Sequence, residues 1–296
     1  MLRALKILVI VGIIGFAAFW WLTRPDRVDP ADLAGLTGDA ARGELVFYAG
    51  GCAACHAAPK SEGEDRLILA GGHGFPSAFG TFYAPNISPD PTHGIGGWSV
   101  EDLANAMKHG RSPGGAHYYP AFPYTSYVRA ALSDIADLHA FLTTLPKSDS
   151  PSQPHDVGFP FNIRLSLGGW KMLFSRPEWV RDVSGEELER GRYLVEALGH
   201  CGECHTPRNA LGGLDYSRWL QGAATPDGKG KVPALTPDRL DWSALDIASY
   251  LATGFTPEYD VAGGEMADVV QNLSHLPESD LQAITAYLKA LPPAGS

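Results

Sequence analysis

Sulfur is scarce in this 296-residue chain, which holds four cysteines and four methionines. The cysteines sit in two close pairs, Cys52 with Cys55 and Cys201 with Cys204, and none is left for a nucleophilic or hydrolytic constellation. Beyond the initiator, Met107, Met172 and Met266 are the only thioethers. Charge is also sparse, at 19% of residues, and its formal sum is −10. A surface of that sign repels a phosphate backbone, which excludes nucleic acid as a partner. No output domain is visible after Leu291-Pro292-Pro293, so a ligand sensor is not the expected reading.

What is present is a pentapeptide used twice. Cys52-Ala53-Ala54-Cys55-His56 and Cys201-Gly202-Glu203-Cys204-His205 are each a Cys-x-x-Cys pair followed directly by histidine. Two thiols at this spacing can form thioethers to the two vinyl groups of one porphyrin, and the adjacent imidazole then lies under the iron. The expectation is two covalently bound haem c groups, held by Cys52, Cys55, Cys201 and Cys204, with His56 and His205 on the metal. A shared four-thiolate zinc site would need pairs roughly 15–20 residues apart, and neither it nor a thioredoxin-like disulfide explains the histidines.

The N-terminus runs apolar from Ile7 to Leu22 behind Arg3 and Lys6, and closes on Trp20-Trp21 and Arg24. That is longer than the ~7–15 residues of a signal-peptide core and, with Leu2, Ala4 and Leu5, close to the ~20 of a span. Residues 1–25 therefore read as an uncleaved signal anchor with tryptophans at the interface, although cleavage after Ala17 would also be compatible with Gly15 and Ala17. Basic residues stay inside, so the remainder is placed in the periplasm, at the bacterial inner membrane.

The roughly 270 exported residues suit two small domains, and the halves repeat. Arg42-Gly43 and Arg190-Gly191 precede the two motifs, and Pro85-Asn86-Ile87-Ser88-Pro89-Asp90 matches Pro233-Ala234-Leu235-Thr236-Pro237-Asp238. Trp98-Ser99 to Gly110 matches Trp242-Ser243 to Gly254, each a capped helix with an acidic first turn and a glycine stop. A last amphipathic helix runs from Ser133-Asp134-Ile135 to Leu145-Pro146, and its counterpart from Ser279-Asp280-Leu281 to Leu291-Pro292. The fold class is all-α: two tandem domains of small cytochrome c organisation, 36–147 and 184–293, behind one transmembrane helix. Between them 148–183 turns apolar at Phe159-Pro160-Phe161 and Trp170 to Phe174, too hydrophobic for a free linker, and is expected to pack between the domains.

The distal ligands should differ. With Trp98 set on Trp242 the offset is 144 residues, and Phe122 falls opposite Met266. Met266 is expected to give the second iron an axial thioether and a raised potential. Phenylalanine cannot coordinate, so His117 in the glycine-rich stretch is the expected donor to the first iron, with an open or water-occupied position as the alternative. Arg208 could meet a haem carboxylate or lie free on the surface.

The chain resembles the membrane-anchored multihaem cytochrome c subunits of periplasmic alcohol, aldehyde and gluconate dehydrogenases. The likeness rests on the two haem motifs, Gly96-Gly97-Trp98-Ser99, Tyr119-Pro120-Ala121-Phe122-Pro123-Tyr124, Phe159-Pro160-Phe161-Asn162 and Thr206-Pro207-Arg208-Asn209. It implies an electron carrier rather than an enzyme, taking electrons from a dehydrogenase and passing them toward quinone, an oxidase or another cytochrome. Those subunits commonly carry three haem motifs where this chain has two, and their first domain often has methionine where this chain has Phe122. A dihaem peroxidase-like enzyme with an open first haem is the rival reading.

Overall fold

A computed structural model describes residues 1–225 and 228–295. Helix α1 (Leu2–Leu22) has none of its residues buried, and with a mean hydropathy of 2.2 over its apolar window it is long and apolar enough to cross a membrane. The first half comprises α2 (Ala40–Ala49), α3 (Cys52–His56), the hairpin β1–β2 (Gly74–Ser77, Gly80–Tyr83), α4 (Val100–His109), α5 (Tyr124–Tyr127) and α6 (Leu132–Leu142). Helix α7 (Ser166–Phe174) follows. The second half is α8 (Glu186–Tyr193), α9 (Gly202–His205), the two-residue strands β3 and β4 (Ala223–Ala224, Lys231–Val232), α10 (Ala244–Thr253), α11 (Glu265–Leu273) and α12 (Glu278–Lys289).

The repeat is visible in local chemistry. Ser99 and Ser243 each cap their helix through a reciprocal box with Asp102 or Asp246, and Gly110 and Gly254 end those helices in the left-handed conformation that spares them a Cβ clash. The Arg-Gly pairs mark where the first helix of each half crosses the last. A Cβ on Gly43 would stand 2.0 Å from the Asp137 carbonyl oxygen, and one on Gly191 2.0 Å from that of Ala283, so only glycine permits either crossing. The neighbouring arginines then grip a carboxylate with two bonds each: Arg42 to Asp137 (2.7 and 2.8 Å) and Arg190 to Asp280 (2.8 and 2.7 Å).

These two ion pairs are not equivalent. Asp280 aligns with Asp134, one turn before Asp137. In the first half Asp134 is therefore released from arginine and instead accepts a hydrogen bond from Tyr193 Oη of the second half (2.6 Å). Tyr193 also accepts from the Ala131 amide (3.1 Å), Tyr48 stacks on His275 (3.8 Å between centroids), and Arg66 pairs with Asp268 (2.8 Å). One buried cluster, including Phe47, Ile135, Val195, Leu198 and Tyr287, runs through both halves.

One element departs from the sequence reading, and two further features lay outside it. The last helix of the first half ends at Leu142 rather than at Pro146, with Thr143 and Thr144 hydroxyls bonding back to carbonyls three residues earlier. Neither haem motif continues the preceding helix. After α2 the chain breaks at Gly50 and Gly51, the latter at φ 58°, and the motif forms its own short helix. In the second half, the spacing from Arg190 to Cys201 is one residue longer than from Arg42 to Cys52, and the extra residue is absorbed by a π-helical turn at Leu194–Leu198.

The segment around α7 bridges three bodies. Gly168 lies against Thr23 and Gly169 against the Phe19 ring, so the helix sits on the foot of α1. Lys171 Nζ donates to the His109 and Gly110 carbonyls at the end of α4 (2.6 and 2.7 Å), satisfying acceptors a helix C-terminus leaves open. Trp170 Nε1 donates to Leu211 O of the second half (2.8 Å).

Candidate haem-binding sites

Both motifs hold their thiols in one small helix with the histidine at its end. The four thiols are not joined to one another, and burial pushes those of Cys52, Cys55 and Cys201 up to about 12 and raises Cys204 as well. Cys52, Cys55 and Cys201 are thus neutral thiols, unlike the thiolate of a redox or metal site, while Cys204 is exposed. Among the described residues no three Cys, His, Asp or Glu side chains converge on a point that could hold an ion, so the zinc alternative has no geometry to support it.

The histidines are oriented identically. His56 Nδ1 donates to Pro85 O (2.8 Å) and His205 Nδ1 donates to Pro233 O (2.8 Å). A carbonyl can only accept, so the proton sits on Nδ1 and Nε2 keeps its lone pair. Burial lowers both imidazole pKa values, which keeps them neutral, and yet each ring retains accessible surface. Apolar side chains left part-buried against the core, among them Ile87, Trp98 and Phe122 in one half and Leu235, Trp242 and Met266 in the other, complete two sets of apolar residues. Neutral thiols and a fixed ligating tautomer fit a covalently held haem in each half.

The motifs meet across a seam. Glu203, between the second pair of cysteines, accepts from Thr125 Oγ1 (2.7 Å) and Ser126 Oγ (3.2 Å) of the first half and pairs with Arg208 on its other oxygen. Burial opposes its charge, but Arg208 and Thr125 outweigh that and hold its carboxyl below the usual range. Tyr127 Oη donates to Gly50 O (3.2 Å), and its ring meets His200 edge to face at 5.6 Å. His200 occupies the position of Gly51 and adopts the same left-handed backbone, at φ 40°. Arg208 is thus committed to Glu203 and to Gly212 O (2.8 Å).

The candidate distal residues separate. Phe122 lies beside Tyr127 (5.6 Å), next to the first motif, and Met266 lies half-buried in the first turn of α11. His117 is drawn elsewhere. Its backbone bridges to Arg111, its carbonyl accepts from Arg164 (2.8 Å), and its ring meets the Thr23 backbone and Lys171 at the foot of α1. Burial chiefly, aided by the Lys171 charge, lowers it to about 4, so it stays neutral there.

No family model matches the chain. A dihaem c-type cytochrome of Cereibacter sphaeroides is 60% identical over 294 residues, covering 99% of each protein. The chain belongs to the dihaem c-type cytochromes. This cytochrome is also 37% identical to the fructose dehydrogenase cytochrome subunit of Gluconobacter japonicus over 91% of its own length, and 36% identical to the gluconate 2-dehydrogenase cytochrome c subunit of Pantoea cypripedii over 84%. It spans only 56% and 59% of those two subunits.

Seam residues Tyr127, His200 and Glu203 of this cytochrome were not singled out as functional in its sequence. One signal was available: His200 stands where the first half has Gly51, which marks a backbone position that glycine would favour.

Proposed function

We propose that the chain is an electron-transfer protein carrying two covalent haem c groups, at Cys52, Cys55 and His56 and at Cys201, Cys204 and His205. When bound, each haem supplies a one-electron ferric/ferrous couple. The chain's own residues do the rest. His56 and His205 present Nε2 in a fixed orientation, Met266 supplies a thioether in the second half, and Phe122 leaves the first without a donor on that side. The observation that carries the reading is the matched pair of histidine bonds, at 2.8 Å to Pro85 O and Pro233 O, within a chain that uses every cysteine in the two motifs.

The protein is anchored by α1 in the bacterial inner membrane, with both halves in the periplasm. Its donor is a dehydrogenase, as the names of its relatives suggest, and its acceptor is quinone, an oxidase or another cytochrome. Those relatives are named as cytochrome subunits, which favours a carrier over a peroxidase-like enzyme. Absorption spectra of the reduced protein with and without carbon monoxide test the ligand assignment. One haem is expected to bind the gas and one to resist it. His117→Ala should leave the spectrum unchanged, whereas Met266→Ala should open the second haem as well.

A further inference from the structure

The outer face of α7 is apolar and uncovered, and its place is set by α1. Gly169 is the point of contact with Phe19, in the last turn of α1. Met172 and Leu173 follow it by three and four residues, which puts them on the same face of the helix, and they are 65% and 62% exposed. The Leu211 loop, held by Trp170, adds a side chain that is 58% exposed. On the same chain segment, just upstream, Phe159 is 81% exposed. Charge points the same way. From Val157 to Pro177 there is no carboxylate, while Arg164 and Arg176 leave two cations on the segment in a chain whose net charge is −10, Lys171 being spent on the end of α4. Arg164 and Arg176 are exposed.

We infer that this face is a membrane-docking surface, with Met172 and Leu173 dipping into the headgroup region of the bilayer that α1 crosses and the arginines meeting anionic lipid. The inference rests on α1 being a span. Its last turn carries Trp20 and Trp21, residues that settle at the interface, and Arg24 lies over the Trp21 ring (5.2 Å). An element touching Phe19 and Thr23 of that turn is thereby held at interfacial depth. An apolar helix face flanked in sequence by cations is what such a depth accommodates. The remaining faces of α7 are spent on Thr23, His109, Gly110 and Leu211, so nothing else in the described chain covers the outer one.

The test uses the full haem-loaded chain in vesicles of phosphatidylcholine and phosphatidylglycerol. A polarity-sensitive fluorophore is placed on Leu173→Cys and, as a distant control, on Leu245→Cys, which replaces a side chain 78% exposed on α10. Wild-type protein, whose thiols are spent on haem, should take no label. The expected result is emission shifted to the blue and quenched by spin-labelled lipid at position 173, with neither effect at 245. If the protein floats with the vesicles but 173 behaves like 245, the docking surface is wrong while the anchor stands, and the patch is left for a protein partner. If the protein does not float, the anchor reading fails and takes this one with it. An unchanged haem spectrum in each variant establishes that folding survived.

Discussion

At the scale of single residues, the two copies of the repeat differ most where charge is buried. Glu196 is fully enclosed and, among the described residues, forms no ion pair, accepting instead from Tyr287 Oη (2.6 Å) and the Val180 and Arg181 amides (2.6 and 3.0 Å). Burial outweighs those bonds and raises its pKa above the ordinary 4.5. Its contribution is therefore full below pH 4.5 and is lost as pH rises through the higher folded value, because the unfolded chain sheds the proton first. Glu196→Gln should lower the urea midpoint at every pH, since an amide would face the Val180 N–H, but should flatten its decline as pH rises above 4.5. His200→Gly tests backbone strain: relief of the left-handed φ should stabilise by about 1 kcal/mol, unless the contact with Tyr127 is worth more. The haem motifs were legible because their chemistry lies within five consecutive residues. The Nδ1 bonds of the histidines to Pro85 and Pro233 were not, because sequence spacing does not reveal that a carbonyl 28 or 29 residues away will fold back. The surroundings of His117 were not legible for a related reason: a glycine-rich stretch fixes no direction, and its ring meets the foot of α1.

At the scale of elements, helix starts and glycine stops were read well because capping chemistry is local. Ser99→Ala and Ser243→Ala should each cost about 1 kcal/mol in denaturant unfolding, with little effect on the haem spectra. The crossing of α2 with α6 is less forgiving. Gly43→Ala would drive a methyl into the Asp137 carbonyl, so the helices must part, and the loss should exceed that of either cap. The helix end at Leu142 was misplaced because Pro146 marks where a helix cannot continue and not where it stops. The π-helical turn was foreshadowed only by arithmetic between the copies. An extra residue could equally have become a loop; buried Leu194, Val195 and Leu198 kept it helical. Deleting Ala197 should restore an α-helical path but turn α8 by about 100° against Cys201, at 3.6 residues per turn, pulling Arg190 away from Asp280. The expected sign is a fall in haem incorporation at the second motif alone, read by the absorbance of purified protein.

At the scale of the whole molecule, the seam makes the two halves one body. Glu203 is the side chain through which the second motif grips the first. Glu203→Gln should keep part of the hydrogen bonding while removing the charge between the motifs, and the midpoint potential of the second haem should rise in a redox titration because a nearby negative charge favours the oxidised iron. The tandem order of the halves was legible from the repeat. The seam between them was not, since the contacts of Thr125 with Glu203 and of Tyr193 with Asp134 join residues 78 and 59 positions apart. Helix α7 carries a mechanical consequence. It is the keystone of three bodies, and a second strut, the Val28 amide bonded to Asn105 Oδ1 (2.9 Å), braces the chain just beyond α1. A tether would let the halves swivel above the anchor. With the load path running through nine residues of α7, any tilt of α1 is passed on to both motifs together, and the angle at which they face a partner is decided at the same joint that holds them side by side.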